Sequence, residues 1–129
     1  MIVVDASVIL HALIDPIKDP HVMRAIEVSE AQLAPSFVDL EILNGLRKQV
    51  LSKRVSERRA AQAIADLAAA PVQRSSLEGL TWIIWKYRHN MTAYDAAYVA
   101  LAEIHDCPLL TRDLRLKSAA AAHTRVHLL

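Results

Sequence analysis

At 129 residues the chain has room for one domain with a full apolar core and not for two ordinary ones. A hydrophobic content of 53% against 22% charged residues excludes a disordered chain, and the single cysteine, Cys107, excludes an intramolecular disulfide. With a net charge of +1, attraction for a polyanion must come from local patches, such as the basic run from Arg47 to Arg59 or the residues Arg112, Arg115, Lys117 and Arg125.

The elements alternate along the chain. Ile2–Val4 is a short β-branched run ending at Asp5, as expected of a buried parallel strand. Ser7–Ile14 predicts a helix stopped by Asp15-Pro16, and His21–Ser29 a second helix. Gln32–Ala34 is a brief strand before Pro35. A long helix follows from Ser36 to about Lys53, with Ile42, Leu43, Leu46 and Val50 as its apolar stripe. Ser56 is placed to cap the next helix, which runs to about Ala70. Pro71–Arg74 reads as a short strand and Ser76–Tyr87 as a helix with Leu77, Leu80, Ile84 and Tyr87 on one side. Thr92–His105 is helical, Leu109-Leu110 is a buried strand reaching Thr111, and a short helix from Leu114 and a strand near Val126 complete the chain. Strands alternating with helices predict an α/β domain over 1–129, a parallel sheet sandwiched by helices in three layers.

In such sheets chemistry gathers beyond the carboxyl ends of the strands. Asp5 follows the first strand and Asp113 follows the strand at Leu109-Leu110, so both belong to that edge. Glu41 lies in the second turn of one helix and Asp95 in the first turn of another, and helices entering from that edge keep their first turns near it. Clustered carboxylates repel unless something neutralises them, and a divalent cation with oxygen preference does so. No His/Cys set with ligand spacing is present, which argues against zinc.

Each acid also has a local structural role open to it. Asp5 and Asp113 are placed to cap the helices they precede, and Thr92-Ala-Tyr-Asp95 has the form of a capping box. Ser36-Phe-Val-Asp39 is another such box, which accounts for Asp39 and leaves Glu41 as the acid of that helix without a local task. Among the remaining residues, the six histidines form no ligand pattern and read as surface or boundary residues. Trp82 and Trp85, three apart on a helix, are expected to pack in a core or an interface, and Cys107 to be a small buried residue.

The segments Val3-Val-Asp5-Ala-Ser7, Pro35 through Glu41 to Asn44 and Leu46, Thr92-Ala-Tyr-Asp95-Ala-Ala-Tyr98-Val-Ala-Leu101-Ala and Leu109-Leu-Thr111-Arg-Asp113 together resemble the PIN-domain family, in particular the VapC-type toxins of toxin–antitoxin pairs. The resemblance implies a PIN-like sandwich and a Mg²⁺- or Mn²⁺-dependent endoribonuclease. It also implies an acidic quartet of Asp5, Glu41, Asp95 and Asp113, with Ser7 and Thr111 as supporting polar groups. An RNA substrate, a VapB-like antitoxin and a homodimer are the partners it implies.

Three other functions compete. A signalling receiver domain would place a pair of acids after the first strand and a phosphorylatable Asp after a middle one; Asp5 stands alone there. A phosphatase of the haloacid dehalogenase type would carry a second acid where Ser7 stands. A catalytically idle PIN-like module that binds RNA or protein would not need the intact quartet. No apolar stretch reaches the ~20 residues of a membrane span, and no basic start precedes a long apolar run, so a cytoplasmic protein is expected.

Overall fold

Apolar runs too short for a helix pair with one another across the centre of the molecule. In the computed structural model, which describes residues 1–128, five strands form: β1 (Ile2–Val4), β2 (Gln32–Pro35), β3 (Val72–Ser75), β4 (Leu109–Thr111) and β5 (Val126–Leu128). They make one parallel sheet in the order β3-β2-β1-β4-β5. Val3 pairs with Leu33 on one side and Leu109 on the other, so β1 is central and wholly buried. Its β-branched composition suits a strand covered on both faces.

Seven helices connect the strands: α1 (Ala6–Ile14), α2 (Pro20–Glu27), α3 (Val38–Leu51), α4 (Glu57–Ala69), α5 (Thr81–Lys86), α6 (Ala93–Ile104) and α7 (Leu114–Ala120). The expected three-layer arrangement is present, with helices flanking the parallel sheet. Helix α6 packs against β1, β2 and β4, and every residue from Ala96 to Ala102 is buried. Four of those seven are alanines, whose small side chains let the helix lie close on the sheet. At the α1–α3 contact, a Cβ on Gly45 would stand 2.6 Å from Leu10 Cδ2, so the missing side chain permits the approach of α1 to α3.

Boundaries depart from expectation where a backbone bond intervenes. Helix α3 begins at Val38 rather than Ser36, because the Ser36 N–H donates to Ser75 O at 2.9 Å and prolongs the pairing of β2 with β3. The predicted Ser36–Asp39 capping box therefore does not form; no side chain caps α3. The helix expected from Ser76 begins only at Thr81. Ser76 Oγ accepts from Glu78 N–H in a local turn, and Gly79 takes a φ of 81°, a left-handed conformation that breaks the helix. Trp82 and Trp85 are not core residues: they are 81% and 59% exposed on α5. Cys107 is buried and free as expected. Among the described residues no helix is long and apolar enough to cross a membrane.

Asp39 is bound by a residue far away in sequence. Arg74 Nη2 lies 2.9 Å from Asp39 Oδ1, and the same guanidinium donates to the carbonyls of Leu67, Ala70 and Val72. It closes the C-terminal end of α4 and ties it to an acid in the first turn of α3, which is the favourable sign at both helix ends. Replacing it in Arg74→Met is expected to lower unfolding stability by about 1–3 kcal/mol, read as a shift of the urea midpoint. An unshifted midpoint would mean that water replaces these bonds at no cost.

Candidate active site

The chain passes from β1 to β2 on one side of the sheet and later returns to place β4 on the other. The crevice between β1 and β4 is thus a topological switch point, the position at which open α/β sheets bind ligands. Asp5 stands at its mouth. Its N–H continues the ladder by donating to Leu110 O at 2.9 Å, and its side chain enters the crevice, only 6% exposed.

Two hydroxyls hold the Asp5 carboxylate. Ser7, in the first turn of α1, and Thr111, the last residue of β4, both donate to Oδ2, Thr111 at 2.8 Å. Each hydroxyl is oriented by a backbone donor from the β4–α7 connection: Arg112 N–H to Ser7 Oγ at 3.1 Å, and Asp113 N–H to Thr111 Oγ1 at 3.0 Å. Oδ2 is therefore committed to the protein, while no hydrogen bond to Oδ1 forms among the described residues. Although Asp5 occupies the N-cap position of α1, its side chain does not cap that helix.

Asp113 does cap. Its Oδ1 accepts from the N–H groups of Arg115 at 2.8 Å and Leu116 at 3.3 Å. Burial opposes its charge, but these donors and the Arg115 guanidinium together hold its carboxyl below the ordinary range. Asp95 lies in the first turn of α6, where its N–H donates to Thr92 Oγ1 at 3.2 Å. The return bond that would complete the predicted capping box is not formed among the described residues. Burial, then the charges of Asp113 and Asp5, push the Asp95 carboxyl up.

Glu41, in the first turn of α3, is the most perturbed of the four. Burial first, then the charge of Asp5, raises it to about 7, against a weak opposing bond from the Tyr98 hydroxyl to Oε2 at 3.4 Å. Its Oε1 is buried and has no hydrogen-bond partner among the described residues. All four sequence-predicted acids thus come to one sheet edge: Asp5 and Asp113 linked through Thr111, and Glu41 and Asp95 sensing the charge of Asp5. Asp39 does not join them. Tyr98 does, and sequence reasoning assigned it no role there; its position three residues after Asp95 on the same helix face was the available signal.

Among the described residues no three His, Cys, Asp or Glu side chains are gathered tightly enough to grip a metal ion unaided. The donor set nonetheless fits a hard divalent cation. It is made of oxygens alone, Glu41 Oε1 is a buried acceptor with nothing to accept from, and two carboxyls are held above their ordinary range by burial and mutual repulsion. Mg²⁺ commonly binds through one or two carboxylates and fills its remaining positions with water and substrate phosphate, so a closed protein cage is not required.

A parallel sheet with acids at its switch point defines a class, and the PIN domain family matches residues 2–122 of the chain. The chain belongs to that family. It is 39% identical over 122 residues to a VapC ribonuclease of Mycobacterium bovis, covering 95% of this chain and 93% of the relative. It is likewise 39% identical over 118 residues to ribonuclease VapC1 of Mycobacterium tuberculosis, covering 91% and 89%. Its fold is that of VapBC2 from Rickettsia felis, solved bound to a promoter DNA fragment, with a TM-score of 0.67 at 14% identity over 99% of this chain and 98% of that one.

The raised carboxyl of Glu41 links stability to pH. The unfolded chain loses this proton near 4.5, whereas the folded chain keeps it to about 7. The folded state binds more protons in that window, so stability falls as pH rises through it. Asp95 acts in the same direction; Asp113 acts oppositely, its contribution being lost on acidification. Glu41→Gln in metal-free protein is expected to flatten the fall and raise stability above pH 7 by on the order of 1–2 kcal/mol, allowing for partial exposure of the site. Thermal midpoints across this range, taken with a chelator present, measure it; a variant with the wild-type slope would remove Glu41 as its source.

Proposed function

We propose that this chain is an endoribonuclease, dependent on Mg²⁺ or Mn²⁺, that acts as the toxin of a VapBC-type toxin–antitoxin pair. The observation that carries the reading is the convergence of four acids at the β1–β4 switch point, one of them with a buried and unpartnered oxygen. Relatives named as VapC ribonucleases at 39% identity over nearly the whole chain support RNA as the substrate.

Asp5, Glu41, Asp95 and Asp113 would hold the cation. When bound, it supplies a Lewis acid to the phosphodiester and lowers the pKa of water, so that hydrolysis can run near neutral pH. The chain's own groups prepare the place. Ser7 and Thr111 fix Oδ2 of Asp5 and so aim Oδ1 outward. Burial first, then the charge of Asp5, lets Glu41 keep its proton to about pH 7, and a bound cation would displace that proton and so couple metal affinity to pH. The Tyr98 hydroxyl, buried with its ring edge-on to Phe37, sets the direction of the Glu41 carboxylate.

Asp5→Asn and Asp95→Asn are each expected to lower Mg²⁺-dependent cleavage of RNA by a factor of about 10² or more, with folding retained by circular dichroism. Mapping cleaved ends on total RNA after brief expression, beside the Asp5→Asn control, measures the effect. Full activity in both variants would sink the site assignment, and uncut RNA with the wild type would favour an idle binding module.

Two exposed apolar faces suit the protein partners. Between α3 and α4 lies a groove of about 230 Å³ walled by Leu43, Leu46, Val50, Leu51, Ala60 and Ile64, the shape that accepts an amphipathic helix. We assign it to a VapB-like antitoxin. Solved relatives of the same fold, FitAcB of Neisseria gonorrhoeae among them, support this only at the level of the fold. Trp82 and Trp85 on α5 are assigned to a second copy of the chain, since a two-fold contact sets the same patch against itself. Ile64→Glu is expected to lose co-purification of the antitoxin and keep the dimer, and Trp82→Lys to do the reverse, by light scattering on the co-expressed pair. The opposite pattern would exchange the two assignments.

A further inference from the structure

Beside the acidic cluster lies a cavity of about 380 Å³ whose walls carry five ionisable side chains: His11, Asp15, Lys18, Asp19 and Arg112. Its place is fixed by residues already described. Arg112 stands between Thr111 and Asp113, and its N–H is held by Ser7 Oγ. His11 follows Ser7 by one helical turn and shares its face of α1. The Asp15 N–H donates to His11 O at 2.8 Å, which closes the last turn of α1, and the 15–19 segment that follows lines the cavity together with His11 and Arg112. The cavity and the acids therefore share the β4–α7 connection as a common wall.

The charges in this cavity have little structural employment. Asp19 Oδ1 accepts from His21 N–H and caps α2. For Arg112 and Lys18, no carboxylate lies within ion-pair distance among the described residues, and the Asp15 carboxylate has no hydrogen bond or ion pair there. Asp15, Lys18, Asp19 and Arg112 are all exposed, so they line an open cleft in which a ligand that presents both signs of hydrogen bonding meets them without breaking an internal ion pair. Its volume lies within the ~300–1,000 Å³ of small-ligand sites. The neighbouring acids repel a polyanion, and Arg112 and Lys18 are the cations placed to offset that repulsion at the mouth of the site.

We propose that this cavity is a nucleotide subsite of the cleavage centre. Arg112 and Lys18 hold the phosphate next to the one that is cut, and Asp15 accepts from N–H groups on the Watson–Crick edge of the attached base. The proposal rests on the ribonuclease reading above. Recognition of single-stranded RNA works through such splayed bases, read on their edges while cations hold the backbone. Arginine suits the phosphate role because its planar fork donates to two phosphate oxygens at once.

The test uses the purified full-length chain with Mg²⁺ and a fluorescent oligoribonucleotide that the wild type cuts. Arg112→Ala and Lys18→Ala are each expected to raise KM about 5- to 10-fold, in line with loss of one charged contact, while kcat stays within roughly twofold. Arg112→Ala keeps the backbone N–H that holds Ser7, so the Asp5 clamp is undisturbed. In the Asp5→Asn background, where RNA binds uncut, the slope of log affinity against log salt is expected to shrink by roughly 0.7 for each cation removed. Asp15→Asn is expected to change the base preferred at one position beside the cut, with KM for the wild-type sequence raised. Cleavage that requires Asp5 but is indifferent to Arg112, Lys18 and Asp15, in KM, salt slope and base preference, would overturn the subsite alone. Absence of any Asp5-dependent cleavage by the wild type would overturn the ribonuclease reading and the subsite with it.

Discussion

Four carboxylates brought to one edge of a sheet repel each other, and the way this repulsion is shared out organises the rest of the site. Asp5 and Asp113 are relieved of it: one by two hydroxyls, the other by the N–H groups that open α7. Glu41 and Asp95 are relieved less, and burial first, then the neighbouring carboxylate charges, pushes both carboxyls up. The relieved acids are on the connections that leave β1 and β4 and so are fixed to the sheet. The other two acids ride on helices, Glu41 on α3 and Asp95 on α6. Holding them there requires a rigid scaffold, because each has an electrostatic reason to move away. The fully buried alanine face of α6 and the close contact of α1 with α3 at Gly45 provide that rigidity.

The architecture was legible in the sequence because its strands are short apolar runs separated by helical ones, and only a parallel sheet buries such runs on both faces. Strand-end acids could then be assigned to one edge without coordinates. Long-range bonds could not be read in the same way. The Ser36–Asp39 pattern has the local form of a capping box, yet Ser36 is drawn into the sheet by Ser75 and Asp39 is taken by Arg74, thirty-five residues away. Asp39 is held away from the acidic cluster by an ion pair rather than by a cap. In the Thr92–Asp95 pattern the Asp95 N–H donates to Thr92 Oγ1, and the Asp95 carboxyl also senses the charges of Asp113 and Asp5. Capping motifs identify the residues that open helices; they do not show where the acid of the motif ends up.

The basic run from Arg47 to Arg59 illustrates a similar limit. Read as charge alone it is a candidate polyanion patch. In the structure Arg59 donates to the carbonyls of Leu13 and Ile14 and closes the end of α1, a structural task invisible in local sequence. Arg74 and Arg59 thus do the same work for two different helices, each supplying a fork of donors to terminal carbonyls. Arg115 is engaged at Asp113 and Arg125 at the carbonyl of Asp106.

Counting cations by their engagement, rather than by their position in the sequence, changes where RNA is expected to lie. Arg112 and Lys18 line the cavity beside the acids together, and among the described residues neither has a carboxylate within ion-pair distance. On the proposed ribonuclease reading, the acidic centre would engage the phosphate being cut but would supply little to distinguish one nucleotide from another. A separate cavity that joins it along a single backbone segment can do so without altering the geometry of the acids. Because Arg112 contributes its N–H to the Asp5 clamp and its side chain to the cavity, the two functions meet in one residue while remaining chemically separable. Sequence variation in the Asp15–Asp19 loop then has a physical route to changing which RNA is cut while the four acids stay the same.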